Sequence, residues 1–286
     1  MALDIVFMGT PNFAVPILKT IYNSEHRIKC VYTQPPKKKN RGLKKDLSSI
    51  HKISNQLKIQ VRIPEVLDID ELNFIKKVKP HIVVVVAYGK IIPNAFFNIN
   101  ATNFINVHAS LLPRWRGAAP IHRAIMNLDK ETGVTIMKMV PKLDSGPILM
   151  SSKIKINQNT SFIELSNQMS ELSAELLLKS IDLLERNKAS FIPQNESDAT
   201  YAKKIQKSEA KINWDEDANK IVAKINALSS GPGAWFYLNG SRIKIIKAIE
   251  IKASGKPGEI VNSNFTIGCK KNSVKILELQ KEGKKT

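Results

Sequence analysis

The chain has 286 residues, 43% of them hydrophobic, and 44 Lys and Arg against 25 Asp and Glu give it a net charge of +19. That length suits one large domain or two, and with only Cys30 and Cys269 a disulfide framework or a cysteine-rich zinc site is excluded. No apolar run approaches the ~20 residues of a membrane span and no signal-peptide pattern opens the chain, so a cytoplasmic protein with no membrane partner is expected.

Leu3 to Met8 reads as an apolar strand, followed by Gly9-Thr10-Pro11 and a helical pattern through Phe13, Ile17, Leu18 and Ile21. A second strand, Ile28 to Tyr32, completes a β-α-β opening. The turn lacks Gly-x-Gly-x-x-Gly, so it carries little weight as a dinucleotide site. Next comes Pro35-Pro36-Lys37-Lys38-Lys39-Asn40-Arg41-Gly42-Leu43-Lys44-Lys45, whose six basic residues and two prolines cannot bury themselves. An exposed, mobile loop is expected there, and its plainest reading is a solvated charge run. The spacing predicts a helix over Asp46 to Leu57, a short strand from Ile59 to Ile63 and a helix from Ile69 to Val78. After Pro80, the run His81 to Val86 is almost wholly β-branched. Such a run belongs to a strand buried on both faces, hence to a parallel sheet under helices.

The stretch Phe104 to Pro120 opens as another strand, because Ile105 and Val107 alternate with Asn106 and His108. Residues two apart share a strand face, so an amide and an imidazole project side by side near the strand's carboxyl end. Taken alone, the pair is read more plainly as edge-strand polarity or a satisfied core histidine. Beyond Pro113 and Gly117, Pro120 starts a helix that ends near Asn127. The strand Val134 to Met139 leads into Lys142-Leu143-Asp144-Ser145-Gly146-Pro147, a tight turn in which Gly146 is expected to take a positive φ. Asp, His and Asn together suit acyl transfer to an amine. The imidazole and the amide would stabilise a developing oxyanion, and the carboxylate would charge the imidazole and collect the amine's proton.

A strand from Pro147 to Ile156 and one long helix from Phe162 to Leu184 follow, then a polar connection from Asn187 to Ser208. A helix through Ile221, Val222, Ile225 and Leu228 precedes several short strands, with Asn239-Gly240 as a hairpin turn. A small β-barrel is the natural assembly, an oligonucleotide-binding barrel being one candidate. The last third is also the denser in positive charge, which favours a nucleic-acid partner, although a chain so rich in Ile, Asn and Lys carries part of that charge as compositional bias.

Phe7 to Ala14, Val86 to Pro93, Asn106 to Pro120, Leu143 to Gly146 and Pro232-Gly233-Ala234-Trp235 together resemble the methionyl-tRNA formyltransferases, in the family's order and approximate spacing. The resemblance implies an α/β fold: a Rossmann-like formyltransferase domain with a mostly parallel sheet over residues 1–188, a linker at 189–208, and a small C-terminal OB-like β-barrel over 209–286 that binds tRNA. It implies 10-formyltetrahydrofolate as co-substrate, methionyl initiator tRNA as acceptor, no metal, and a monomer. Asn106, His108 and Asp144 would be catalytic. Tyr88, Gly89, Ile91, Ile92, Ser110, Leu111, Leu112 and Pro113 would hold the folate, partly through backbone groups. Lys38, Arg41, Gly42 and Lys44 would meet the tRNA acceptor arm. The alternatives are a formyltransferase for an amino sugar nucleotide or purine precursor, a folate-dependent hydrolase, and a non-catalytic RNA-binding protein on the same scaffold.

Overall fold

The structure is a computed structural model that describes residues 2–39, 44–262 and 264–282. Its contacts divide the chain into two compact units. Met1–Arg116, Gly133–Lys153 and Asn167–Thr200 form the first; Gly117–Thr132, Ile154–Ser166 and Tyr201–Thr286 form the second.

The chain begins β1 (Asp4–Gly9), α1 (Ala14–Tyr22), β2 (Arg27–Tyr32), and the two strands pair in parallel. Helix α1 buries Ile17, Leu18 and Ile21 of the stripe its spacing predicts, with Ala14 beside them, while Phe13 caps the helix and is only half-buried. The basic segment departs from expectation. Strand β3 (Lys37–Lys39) and β4 (Lys44–Asp46) pair antiparallel, Lys37 with Asp46 and Lys39 with Lys44. A polar run that cannot enter the core still satisfies its backbone groups by pairing with itself. Arg41 and Gly42, which link the two strands, lie outside the described residues.

Helix α2 (Ser49–Gln56) starts at Ser48, whose side chain accepts a hydrogen bond from the His51 N–H. Strand β5 (Val61–Arg62) is shorter than its apolar run. Helix α3 (Ile69–Val78) is capped by Asp68, which accepts from Asp70 N and Glu71 N, each at 3.1 Å, and ends at the left-handed Lys79. Strand β6 (Ile82–Val86) is buried at all five positions. After the short α4 (Asn94–Phe97) come β7 (Asn103–His108), β8 (Arg116–Gly117), α5 (Pro120–Met126), β9 (Glu131–Lys138), β10 (Ile148–Lys155) and α6 (Phe162–Glu185).

The main sheet has the order β10-β9-β7-β6-β1-β2-β5. Strands β1, β2, β5, β6 and β7 run parallel, and β9 pairs antiparallel with β7. The connection from β1 goes outward to β2 and β5, then the chain returns to β6 on the other side of β1. The loops leaving the carboxyl ends of β1 and β6 therefore start where the strand order reverses, the usual place for a ligand site on an open α/β sheet. Gly9 is required at this point, since a Cβ there would press on the Phe7 ring, Ala14 and the Val86 carbonyl. The Thr10 hydroxyl donates to the Tyr88 carbonyl at 2.8 Å and so ties the two loops together.

In the second unit, α7 (Ala218–Ala227) lays Ile221, Val222, Ile225 and the following Leu228 on a sheet formed by β12 (Trp235–Leu238), β13 (Ser241–Ile251), β14 (Ile260–Asn262), β15 (Thr266–Gly268) and β16 (Ser273–Lys281). The sheet is antiparallel, in the order β12-β13-β16-β15-β14, the make-up of a small barrel-like domain. Asn239 (φ +47°) and Gly240 (φ +73°) form the two-residue turn between β12 and β13, the two positive φ values that such a hairpin needs. A further two-residue strand, β11 (Tyr201–Ala202), pairs with β8.

Candidate active site

The site is built at the carboxyl end of β7. Asn106 pairs with Val85 of β6 on one side and Met137 of β9 on the other, while His108 lies opposite Thr135. Both side chains are buried, at 9% and 6% exposed, on the face they share. Asp144 reaches them from the turn after β9. Its Oδ1 accepts from Asn106 Nδ2 at 3.5 Å, and its Oδ2 lies 3.7 Å from His108 Nδ1. Three residues that the sequence separates by up to 38 positions are thus brought into one cluster.

The turn is made differently from expectation. The left-handed residue is Asp144 itself, at φ +45°, and Gly146 is not among the residues with positive φ. Glycine is needed at 146 for space, because a Cβ there would overlap the Lys138 carbonyl. Asp is among the few side chains that tolerate the left-handed region, so the carboxylate residue is itself compatible with the bend.

The other imidazole nitrogen fixes the tautomer. His108 Nε2 lies 2.9 Å from the Trp115 carbonyl. A carbonyl only accepts, so Nε2 carries hydrogen, and Nδ1 is the nitrogen turned toward Asp144. Trp115 has φ +62° and is tied down through its N–H to Thr200 Oγ1 at 2.9 Å. No property of the sequence pattern marks this backbone carbonyl as part of the site.

The expected folate residues lie around the same sheet end. Ala87 (φ +46°) and Gly89 (φ +78°) turn the chain after β6. Tyr88 and Gly89 present carbonyls that accept from Gln34 Nε2 at 3.0 and 2.9 Å. Burial pushes the Tyr88 hydroxyl up to about 12, and among the described residues this oxygen has no hydrogen-bond partner. Ile92 is buried, whereas Ile91 is 92% exposed. Ser110 and Leu112 point inward: Ser110 Oγ donates to the Arg114 carbonyl at 2.6 Å, and the Leu112 N–H donates to Thr135 Oγ1 at 3.1 Å. Thr135 Oγ1 in turn donates to the Ser110 carbonyl at 2.7 Å, so one hydroxyl holds the Ser110–Pro113 loop in place. Leu111 packs where a Cβ on Gly133 would meet its side chain, and the Pro113 carbonyl accepts from the Thr200 N–H at 3.2 Å.

The backbone of Lys38 and Lys44 belongs to the β3–β4 ribbon. Among the described residues, no group of three or more His, Cys, Asp and Glu could hold a metal ion, and no helix is long and apolar enough to cross a membrane. Sequence reasoning missed Gln194, in the stretch read as a linker, and gave no role to Arg116. Both stand behind the Asp144 turn, where Gln194 Nε2 donates to the Asp144 and Gly146 carbonyls.

Residues 3–181 match the sequence pattern of the formyl transferase family, and residues 204–286 match that family's C-terminal domain. The methionyl-tRNA formyltransferase of Pelagibacter ubique (strain HTCC1062) is 45% identical across the whole chain and 93% of its own length. That of Paracoccus denitrificans (strain Pd 1222) is 41% identical over 99% of the chain and 94% of its own. Among solved structures, WlaRD, a sugar 3N-formyl transferase crystallised in the presence of dTDP and 5-N-formyl-THF, superimposes over 100% of both chains, with a TM-score of 0.72 at 20% identity. HypX from Aquifex aeolicus in complex with tetrahydrofolic acid gives a TM-score of 0.72 at 17% identity, over 99% of this chain and 45% of its own. At such identities the likeness is one of fold.

Proposed function

We propose, since this chain belongs to the formyl transferase family, that it transfers the formyl group of 10-formyltetrahydrofolate to the α-amino group of methionyl initiator tRNA, giving the formylated tRNA that starts translation. The acceptor follows from relatives that share 45% and 41% of their residues with essentially the whole chain. One structural observation carries the chemistry: the meeting of Asn106, His108 and Asp144 at the carboxyl end of β7. When bound, 10-formyltetrahydrofolate supplies an activated formyl carbon. The Asn106 amide, held only loosely by Asp144, is free to turn its N–H toward the formyl oxygen as that oxygen gains charge. His108 Nδ1, when it carries hydrogen, is a second donor, and it lies beside the Asp144 carboxylate. Asp144 takes the proton that the attacking amine gives up, and that proton passes on to the folate nitrogen released when its bond to the formyl carbon breaks.

In this reading Tyr88, Gly89, Ile91, Ile92 and the Ser110–Pro113 loop hold the folate. Residues 1–188 carry the transfer chemistry, 189–208 connect, and 209–286 bind tRNA together with Lys38, Arg41, Gly42 and Lys44. The protein works as a cytoplasmic monomer. The test offers purified protein 10-formyltetrahydrofolate with charged methionyl-tRNA, free methionine and amino sugar nucleotides in parallel. Formylation of the tRNA-linked methionine is expected; formylation of a small-molecule amine alone would overturn the acceptor assignment.

The basic ribbon gives a second expected result. If its side chains meet phosphates, each lost contact lowers the dependence of log K on log salt by about one unit. Lys38→Ala should weaken tRNA binding modestly. Arg41→Ala should raise KM and also lower kcat, because a guanidinium binds bidentately or stacks on an unpaired base where an ammonium cannot. Salt-series affinities and formylation kinetics check this, and identical curves for wild type and both variants would leave tRNA recognition to residues 209–286.

A further inference from the structure

We propose that Gln194 and Arg116 are positioning residues for the formyl transfer, setting Asp144 against His108 from behind the turn; the inference rests on the reading above.

Asp144 occupies a left-handed backbone conformation (φ +45°), and its carboxylate is useful only if the bend holds its angle. One side chain grips that bend. Gln194 Nε2 donates to the Asp144 carbonyl at 2.8 Å and to the Gly146 carbonyl at 2.7 Å, which uses both of its hydrogens. The amide cannot flip. Its oxygen accepts from Arg116 Nε at 3.1 Å and Nη2 at 2.9 Å, and a reversed amide would set oxygen against two carbonyls and NH2 against a guanidinium.

Arg116 is fully buried, so its charge needs a partner, and Glu196 supplies one as a fork, with Nη1 to Oε2 at 3.1 Å and Nη2 to Oε1 at 3.0 Å. Glu196 also takes Lys142 Nζ at 2.7 Å, and these two cations hold its carboxyl down at about 2. Arg116 directly follows Trp115, whose carbonyl fixes the His108 ring. One buried guanidinium therefore anchors both partners of the His108–Asp144 pair, Asp144 through Gln194 and His108 through the neighbouring peptide.

Two variants test this. Gln194→Met removes the polar head at similar length. Gln194→Glu keeps an acceptor for Arg116 and removes the NH2 that grips the turn. Each should lower kcat about tenfold or more while KM for folate and for tRNA stays within about threefold, because misplacing a reacting group costs rate rather than affinity. Each should also shift the pH midpoint of kcat, and should cost less than about twofold further in an Asp144→Asn background, since the amide acts through that residue. Wild-type kcat in both variants would overturn the proposal. So would losses that multiply fully with Asp144→Asn, which would make the network a scaffold. An inactive wild type would instead count against the formyl-transfer reading, so the two failures are distinct.

Discussion

His108→Ala should lower kcat by about 10² or more while tRNA affinity stays near wild type. The ring bridges the Trp115 carbonyl at 2.9 Å and the Asp144 carboxylate at 3.7 Å, so its loss removes a donor and the group through which Asp144 acts. Asn106→Ala should cost a similar factor, because the amide is the other side chain on that face able to donate to a developing oxyanion. One lost donor of this kind is worth about 10²–10³ in rate, or roughly 3–4 kcal/mol of barrier. Both side chains are buried and offer a tRNA little contact area, so binding is expected to survive. Single-turnover formylation with tRNA affinity measured in parallel is the check. Activity within a few-fold of wild type would place the chemistry elsewhere.

Asp144→Asn should be as damaging as His108→Ala, and the double variant should be little worse than either single one. Asparagine keeps the size and tolerates the left-handed backbone, so the turn should persist. The charge goes. With Nε2 committed to the Trp115 carbonyl, Nδ1 is the ring nitrogen that faces the carboxylate, and a neutral amide there takes the negative charge away from the ring. Two groups that act as one unit give non-additive losses. The measurement is kcat/KM for the two single variants and the double variant. Losses that simply multiply would mean that Asp144 and His108 work separately.

Much of this arrangement is legible in the chain because its signals are local. Ile82–Val86 reads as a doubly covered parallel strand because five β-branched residues in a row leave no polar face, and all five are buried. Asn106 and His108 read as neighbours because the two-residue period of a strand puts them on one face. Asn239-Gly240 reads as a hairpin because both residues accept positive φ, and both have it. The basic segment shows where locality ends. Its composition excludes burial, yet backbone pairing between Lys37–Lys39 and Lys44–Asp46 depends on hydrogen bonds that carry no side-chain signature.

The sequence by itself therefore determined most of the longer elements, the parallel sheet, the small domain of short strands and the residue types of an acyl-transfer site, since periodicity and turn chemistry act over a few residues. Only the tertiary structure decided how that site is assembled. That Asp144 takes the left-handed angle, and that the Lys138 carbonyl leaves room only for glycine at 146, is set by how the turn packs. That His108 is protonated on Nε2 follows from a backbone carbonyl seven residues away. That Gln194 grips the Asp144 turn follows from an amide arriving 50 residues later, oriented by a buried arginine. Contacts of this kind join segments remote in the chain, often through backbone atoms that every residue shares, so no pattern of side chains along the sequence announces them.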